Sequence, residues 1–143
     1  LFQKRLKRPF KGVLIPIGAK IKSGESIFET AQKKLLEDTA LSGEFEYKGI
    51  VDVRTYKDGE LFLHHVLNVF KITGLKGDYT KKTDKGENVW LSEKEYFEED
   101  NILSGMKDHL DIIKCESFMF LELESYMEGE KFVGVKVVRK IEF

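Results

Sequence analysis

The residues most able to do chemistry fall in one stretch. The loop Gly18-Ala19-Lys20-Ile21-Lys22-Ser23-Gly24-Glu25 leads into the acidic segment Lys33-Lys34-Leu35-Leu36-Glu37-Asp38-Thr39-Ala40-Leu41. The carboxylates of this stretch are the adjacent Glu37 and Asp38, with Glu25 in the loop before them, and Lys34 stands within helical reach of both Glu37 and Asp38. Taken alone, Glu37-Asp38 reads as a solvated, charged helix face. Other reactive side chains carry less. His64 and His65 are adjacent on a strand-like run, so they point to opposite faces and cannot chelate together; one is expected in the core and the other on the surface. Cys115, with Lys114 as its basic neighbour, reads as a buried or idle thiol. The basic run Lys4 to Lys11 could guide phosphate but reads first as solvated loop lysines. Trp90 reads as a core anchor, and Tyr47, Phe62 and Phe70 as sheet packing.

The elements that must position the acidic stretch follow from periodicity and turn chemistry. Ser26 is an N-cap with Glu29 three residues on, and Phe28, Ala31, Leu35 and Thr39 recur at helical spacing, which predicts an amphipathic helix over 27–39. Phe28, Ala31 and Leu35 should pack on a sheet, leaving Lys34, Glu37 and Asp38 facing a cleft. Short extended pieces are expected at 1–5 and 12–17, with Pro9 and Pro16 arguing against helix there. Longer strands are expected at about 46–56 and 61–73, joined by the hairpin turn Lys57-Asp58-Gly59. The polar segment Gly74 to Glu87 is a loop. Val89-Trp90-Leu91 is a short strand, Ser92-x-x-Glu95 caps an acidic helix, 102–114 is a further helix, and 117–126 with 131–143 form a closing hairpin around Glu128-Gly129.

Bulk properties bound the class. At 143 residues with 41% hydrophobic content, the chain has the length and apolar material for one domain over 1–143. The 24 basic and 25 acidic side chains leave a net charge of -1, so no global field draws the protein to nucleic acid or an anionic membrane, and an anionic ligand must be held locally. A lone cysteine and the lack of a leader-like or long apolar run favour a reducing, cytoplasmic setting. The opening Leu1-Phe2-Gln3-Lys4-Arg5 reads as the middle of a strand, so an N-terminal truncation is expected.

The loop and acidic helix together resemble the Nudix box, over Ala19 to Leu41. That motif runs Gly, five residues, Glu, seven residues, Arg-Glu, an aliphatic residue, any residue, Glu-Glu, any residue, Gly and an aliphatic residue. Glu25, Leu35, Glu37 and Leu41 agree with it, Lys33 and Asp38 are conservative changes, and Ala19, Lys34 and Ala40 depart from it. Ile15-Pro16 before the loop and Trp90 after a polar loop extend the resemblance, and the closing hairpin is similar to that of MutT-like members. The resemblance implies a single α/β domain, a Nudix-type α/β/α sandwich around a mixed β-sheet. It also implies Mg2+, with Mn2+ as an alternative, held by Glu37, Asp38 and Glu87, the last standing three residues before Trp90. Glu25 would orient the ligating helix and pair with Lys33, and Lys20 would bind substrate. Lys34 replaces the family's third acid, and its ammonium can reach Glu37 and Asp38, replacing one metal charge with a tethered one.

The function so implied is a magnesium-dependent pyrophosphohydrolase of weakened activity. It would act on a small nucleotide, a nucleoside diphosphate linked to another moiety or a nucleoside triphosphate, by attack of water on a metal-polarised phosphorus. The alternative is a Nudix-fold nucleotide- or ligand-binding module with impaired catalysis. The sequence assigns neither nucleic acid nor membrane as a partner, and leaves the oligomeric state open.

Overall fold

The computed structural model describes residues 1–7, 10–103 and 106–143. Pro9 and the residues at 104–105 of the helix expected over 102–114 lie outside them. In chain order the elements are β1 (Phe2–Arg5), β2 (Leu14–Pro16), α1 (Ile27–Thr39), β3 (Ser42–Lys57), β4 (Glu60–Lys76), β5 (Gly86–Val89), α2 (Glu93–Glu98), α3 (Met106–Lys114), β6 (Met119–Glu128) and β7 (Lys131–Glu142). They divide between two compact units, Leu1–Phe45 with Ile72–Ile102 and Glu46–Lys71 with Leu103–Phe143.

The first unit holds an antiparallel three-stranded sheet in the order β2-β1-β5, with Gln3 opposite Ile15 on one side and Asn88 on the other. Helix α1 spans the residues its pattern predicts. The Ser26 hydroxyl accepts from the Glu29 amide, satisfying one of the donors that the first turn leaves without a carbonyl. The helix stops at Ala40, which takes the left-handed conformation at φ 60° while its N–H donates to the Leu36 carbonyl. Glycine adopts that conformation without penalty, and a Cβ there costs roughly 1–2 kcal/mol. Gly77, at φ +114°, lies against this turn so closely that a Cβ on it would stand 2.4 Å from the Ala40 carbonyl oxygen. The buried residues of α1 are Leu35, Asp38 and Thr39, all in its last turns. Phe28 does not join them: it is 45% exposed, because the first turn of the helix stands clear of the buried stripe. Trp90 is also not a core anchor. The strand expected at 89–91 lies earlier, at β5, so Trp90 follows it and is half exposed, with its ring 6.2 Å from that of Tyr79. In α2, both halves of the capping box form between Ser92 and Glu95.

The second unit contains the mixed part of the architecture, a four-stranded sheet in the order β4-β3-β6-β7, with β3 parallel to β6 and β6 antiparallel to β7. β3 and β4 meet at Asp58 and Gly59, both with positive φ as a tight two-residue hairpin requires. The Asp58 carboxylate accepts from the Gly129 amide of the β6–β7 turn. Opposite Met119, Gly49 allows close pairing of β3 with β6, since a Cβ there would fall 2.0 Å from the Met119 carbonyl oxygen. Alternation along β6 buries Met119, Leu121 and Leu123, which pack with Val51 and with Ile112 of α3. Half-buried Cys115 lies against this cluster. Tyr47 and Phe70 do pack together, with ring centroids 5.2 Å apart. Phe62 is half exposed beneath the Lys57 ammonium instead. Both His64 and His65 are exposed, against the expectation of one in the core. β4 is an edge strand that gives Leu67 and Val69 to the apolar cluster, and the histidines lie nearer the turn, where His64 pairs with Asp52 at 2.6 Å.

Candidate functional site

The site is built on the C-terminal half of α1. Residues 34 and 38 are one turn apart, and the helix brings Lys34 Nζ to 2.7 Å from Asp38 Oδ2. From the loop just before β5, Lys85 reaches back so that its Nζ donates to Asp38 Oδ1 at 3.0 Å. Both carboxylate oxygens therefore face an ammonium. The Asp38 carboxyl is 2% exposed, while the Lys34 and Lys85 side chains are 19% and 47% exposed. Asn88 fixes the backbone beneath: its Nδ2 donates to the carbonyls of Asp38 and Thr80, each at 2.7 Å. Burial alone would push the Asp38 carboxyl up, but the hydrogen bonds and charges of Lys34 and Lys85 outweigh it and hold the group below the ordinary carboxylate range. Lys85 is shifted upward, first by its hydrogen bond to Asp38, so its ammonium form is favoured.

The remaining expected site residues do not gather on this carboxylate. Glu37 is exposed and pairs loosely with Lys33 at 3.9 Å. Lys33 thus turns along the helix to Glu37 rather than back to Glu25. Glu25 ties the loop to α1 through other donors, accepting from the Lys22 amide at 3.0 Å and the Thr30 hydroxyl at 3.4 Å. Glu87 is opposite Lys4 on β1, and alternation along β5 sets it on the face away from Asn88. Its charge is felt instead by Tyr79, whose hydroxyl is raised by burial first and by Glu87 second, and donates to the Asn88 carbonyl. Lys20 is exposed in the loop before α1.

This donor set does not suit magnesium. A divalent ion takes six or more oxygens from groups free to present them, and Asp38 has both of its oxygens occupied by cations. An ion seated beside either ammonium would be repelled by it, most strongly by the less exposed Lys34. Among the described residues, no three Asp, Glu, His or Cys side chains converge as a metal site.

Lys85 and Asn88 are the residues that sequence reasoning missed. Lys85 lies 47 positions from its partner inside a polar loop, where a single lysine carries no signal. Asn88 could have been noticed as a residue disfavoured in strands that nonetheless occupies a short one.

The folded chain is similar to a known structure. A crystal structure described as the mMutator MutT protein from Bacillus halodurans superposes with a TM-score of 0.73 at 19% identity, covering 96% of this chain and 88% of that one. The fold is that of a Nudix-type α/β protein. No family model matches the chain, and no curated protein matches it. Among the described residues no helix is long and apolar enough to cross a membrane.

Proposed function

We propose that this Nudix-fold protein is a binding module for a small nucleotide or a related ligand, with magnesium-dependent hydrolysis impaired. The observation that carries the reading is the capture of Asp38 by Lys34 and Lys85. In the resemblance that the sequence suggests, residue 34 is an acid beside two others, and the cluster concentrates a divalent ion. Here residue 34 is a cation, and a second cation arrives from residue 85. A protonated lysine has no lone pair to offer a metal, so these groups repel the ion without replacing the lost ligand.

A second reading, a pyrophosphohydrolase of weakened activity, is favoured by the fold match and by the exposure of Glu37, which leaves one box carboxylate able to meet a metal–nucleotide complex. Turnover separates the two. Purified protein is expected to release little phosphate or pyrophosphate from a nucleotide panel with Mg2+ or Mn2+. Lys34→Glu should strengthen Mg2+ binding and raise turnover by about tenfold, the rate equivalent of 1.4 kcal/mol. Brisk hydrolysis by the wild type, slowed rather than raised in Lys34→Glu, would show that another acid completes an active site and overturn the proposal.

A further inference from the structure

We infer that Lys34 and Lys85, held together by Asp38, form a built-in cationic site that takes a diphosphate group without any metal ion. The inference rests on the binding-module reading and goes further, naming the ligand chemistry and what replaces the metal. Its basis is the charge and geometry of the triad. Lys34 and Lys85 hold opposite oxygens of one carboxylate at 2.7 and 3.0 Å, so the trio carries a net single positive charge. Each ammonium has three donors. Lys85 donates one hydrogen bond to Asp38 Oδ1, and Lys34 is held by charge against Oδ2, so both ammonium groups keep donors for a ligand. Asp38, 2% exposed and anchored through its backbone by Asn88, acts as a fixed strut rather than a ligand. Lys85, nearly half exposed, keeps the cation pair open to water. The Glu37 charge also acts on Lys85, and Lys33 offsets it from 3.9 Å, so the five groups together keep a single positive charge.

A bound divalent ion normally supplies two positive charges to bridge and neutralise adjacent phosphate oxygens. Two ammonium groups on one buried carboxylate offer the same bridging function with a permanent charge that chelators cannot remove. Lysine meets phosphate as a point charge with freely oriented donors, which suits a diphosphate presented in more than one rotation. Asp38 thus has a positioning role: it confines two long side chains that would otherwise lose rotamer freedom on each binding event.

The test is calorimetric titration of the whole chain with inorganic pyrophosphate and, separately, with ADP, once in EDTA and once in Mg2+, with product release followed in the same samples. Binding in EDTA at least as tight as in Mg2+, weakened about tenfold in Lys85→Gln and recovered in Lys85→Arg, is the expected result. Tighter binding of ADP than pyrophosphate would identify the nucleotide as the source of the diphosphate, and the reverse order the free anion; both support the site. Because Lys34→Gln could disturb folding by leaving Asp38 one partner short, the argument rests on the more exposed Lys85, with thermal melting as a control. Binding that appears only with Mg2+, or equal affinity in Lys85→Gln, overturns this inference while leaving the module reading in place. So does the absence of binding by both probes. Brisk product release with Mg2+ overturns the module reading, and this inference with it.

Discussion

Asp38 in the first unit and His109 in the second are ionisable groups that each carry a polar atom shut away from water, and they solve that problem in opposite ways. Asp38 keeps its charge by taking two ammonium partners. His109, on α3, has its Nε2 buried with no hydrogen-bond partner among the described residues, and burial pushes its imidazole down to about 4, so it stays neutral. One site invests two lysines in retaining a charge. The other discards the charge and leaves one ring nitrogen without a hydrogen bond among the described residues. A buried charge that is kept with cations in excess is costly to build, which is why the α1 cluster invites a functional reading and the histidine does not.

The comparison breaks most visibly if Asp38 is stranded. In the double variant Lys34→Met/Lys85→Met, the carboxylate has no cation beside it, and the urea midpoint should fall further than for any other substitution named here. Adding Asp38→Asn to that background should recover most of the loss. If the double variant unfolds at the wild-type denaturant midpoint, Asp38 has water enough to stay ionised alone, and the clamp is not a structural strut.

His109 should reveal itself through acid. Its folded pKa lies below the ordinary 6.5, so the folded state resists protonation more than the unfolded chain does. The associated stability is fully present above about pH 6.5 and is lost progressively as the pH falls toward 4, by about 3 kcal/mol in all for a shift of this size. Asp108 works the other way in that window, because burial and the nearby Asp111 charge raise its carboxyl. The cleaner quantity is therefore the difference between wild type and His109→Gln, which should shrink the slope between pH 6.5 and 4. Asp38, with its lowered pKa, contributes stability above its ordinary value of 3.8 and loses it only in stronger acid. An unchanged slope in His109→Gln would mean that the imidazole is solvated.

Much of this contrast could be read in the sequence, but unevenly. Helix α1 emerged with its observed ends because capping and periodicity are local, and the Asp-Gly turn between β3 and β4 announced a hairpin for the same reason. The mixed sheet was legible through the Nudix-box resemblance, and the fold match agrees with it. Lys34 could be seen to reach Asp38, since residues four apart on a helix are neighbours. Lys85 could not, because its place is set by β1 pairing with β5, a long-range register that no local pattern records. The misplacement of Phe28, Trp90 and the two histidines has one cause: type and period give an apolar or alternating pattern, whereas exposure depends on which neighbours cover the element.

The smallest expected effect sharpens the comparison from its other side. On the face of β3 and β6 opposite Leu121 and Leu123, Arg54 stands between Glu122 at 2.7 Å and Glu124 at 3.5 Å, the inverse of the α1 cluster, with one cation between two anions. These groups are not sealed off: Arg54 is 30% exposed and each glutamate 20%. The glutamates also have other partners, Arg139 near Glu122 and the Tyr126 hydroxyl donating to Glu124 at 2.6 Å. Removing Arg54 therefore strands neither carboxylate, and the loss is that of a partly solvated ion pair plus some packing of the arginine stem. Arg54→Met should cost about 1 kcal/mol in urea unfolding, and raising the salt concentration should shrink the difference further. If Arg54→Met destabilises the protein as much as the double lysine variant does, burial is not what separates the two clusters, and the special standing given to Asp38 fails with it.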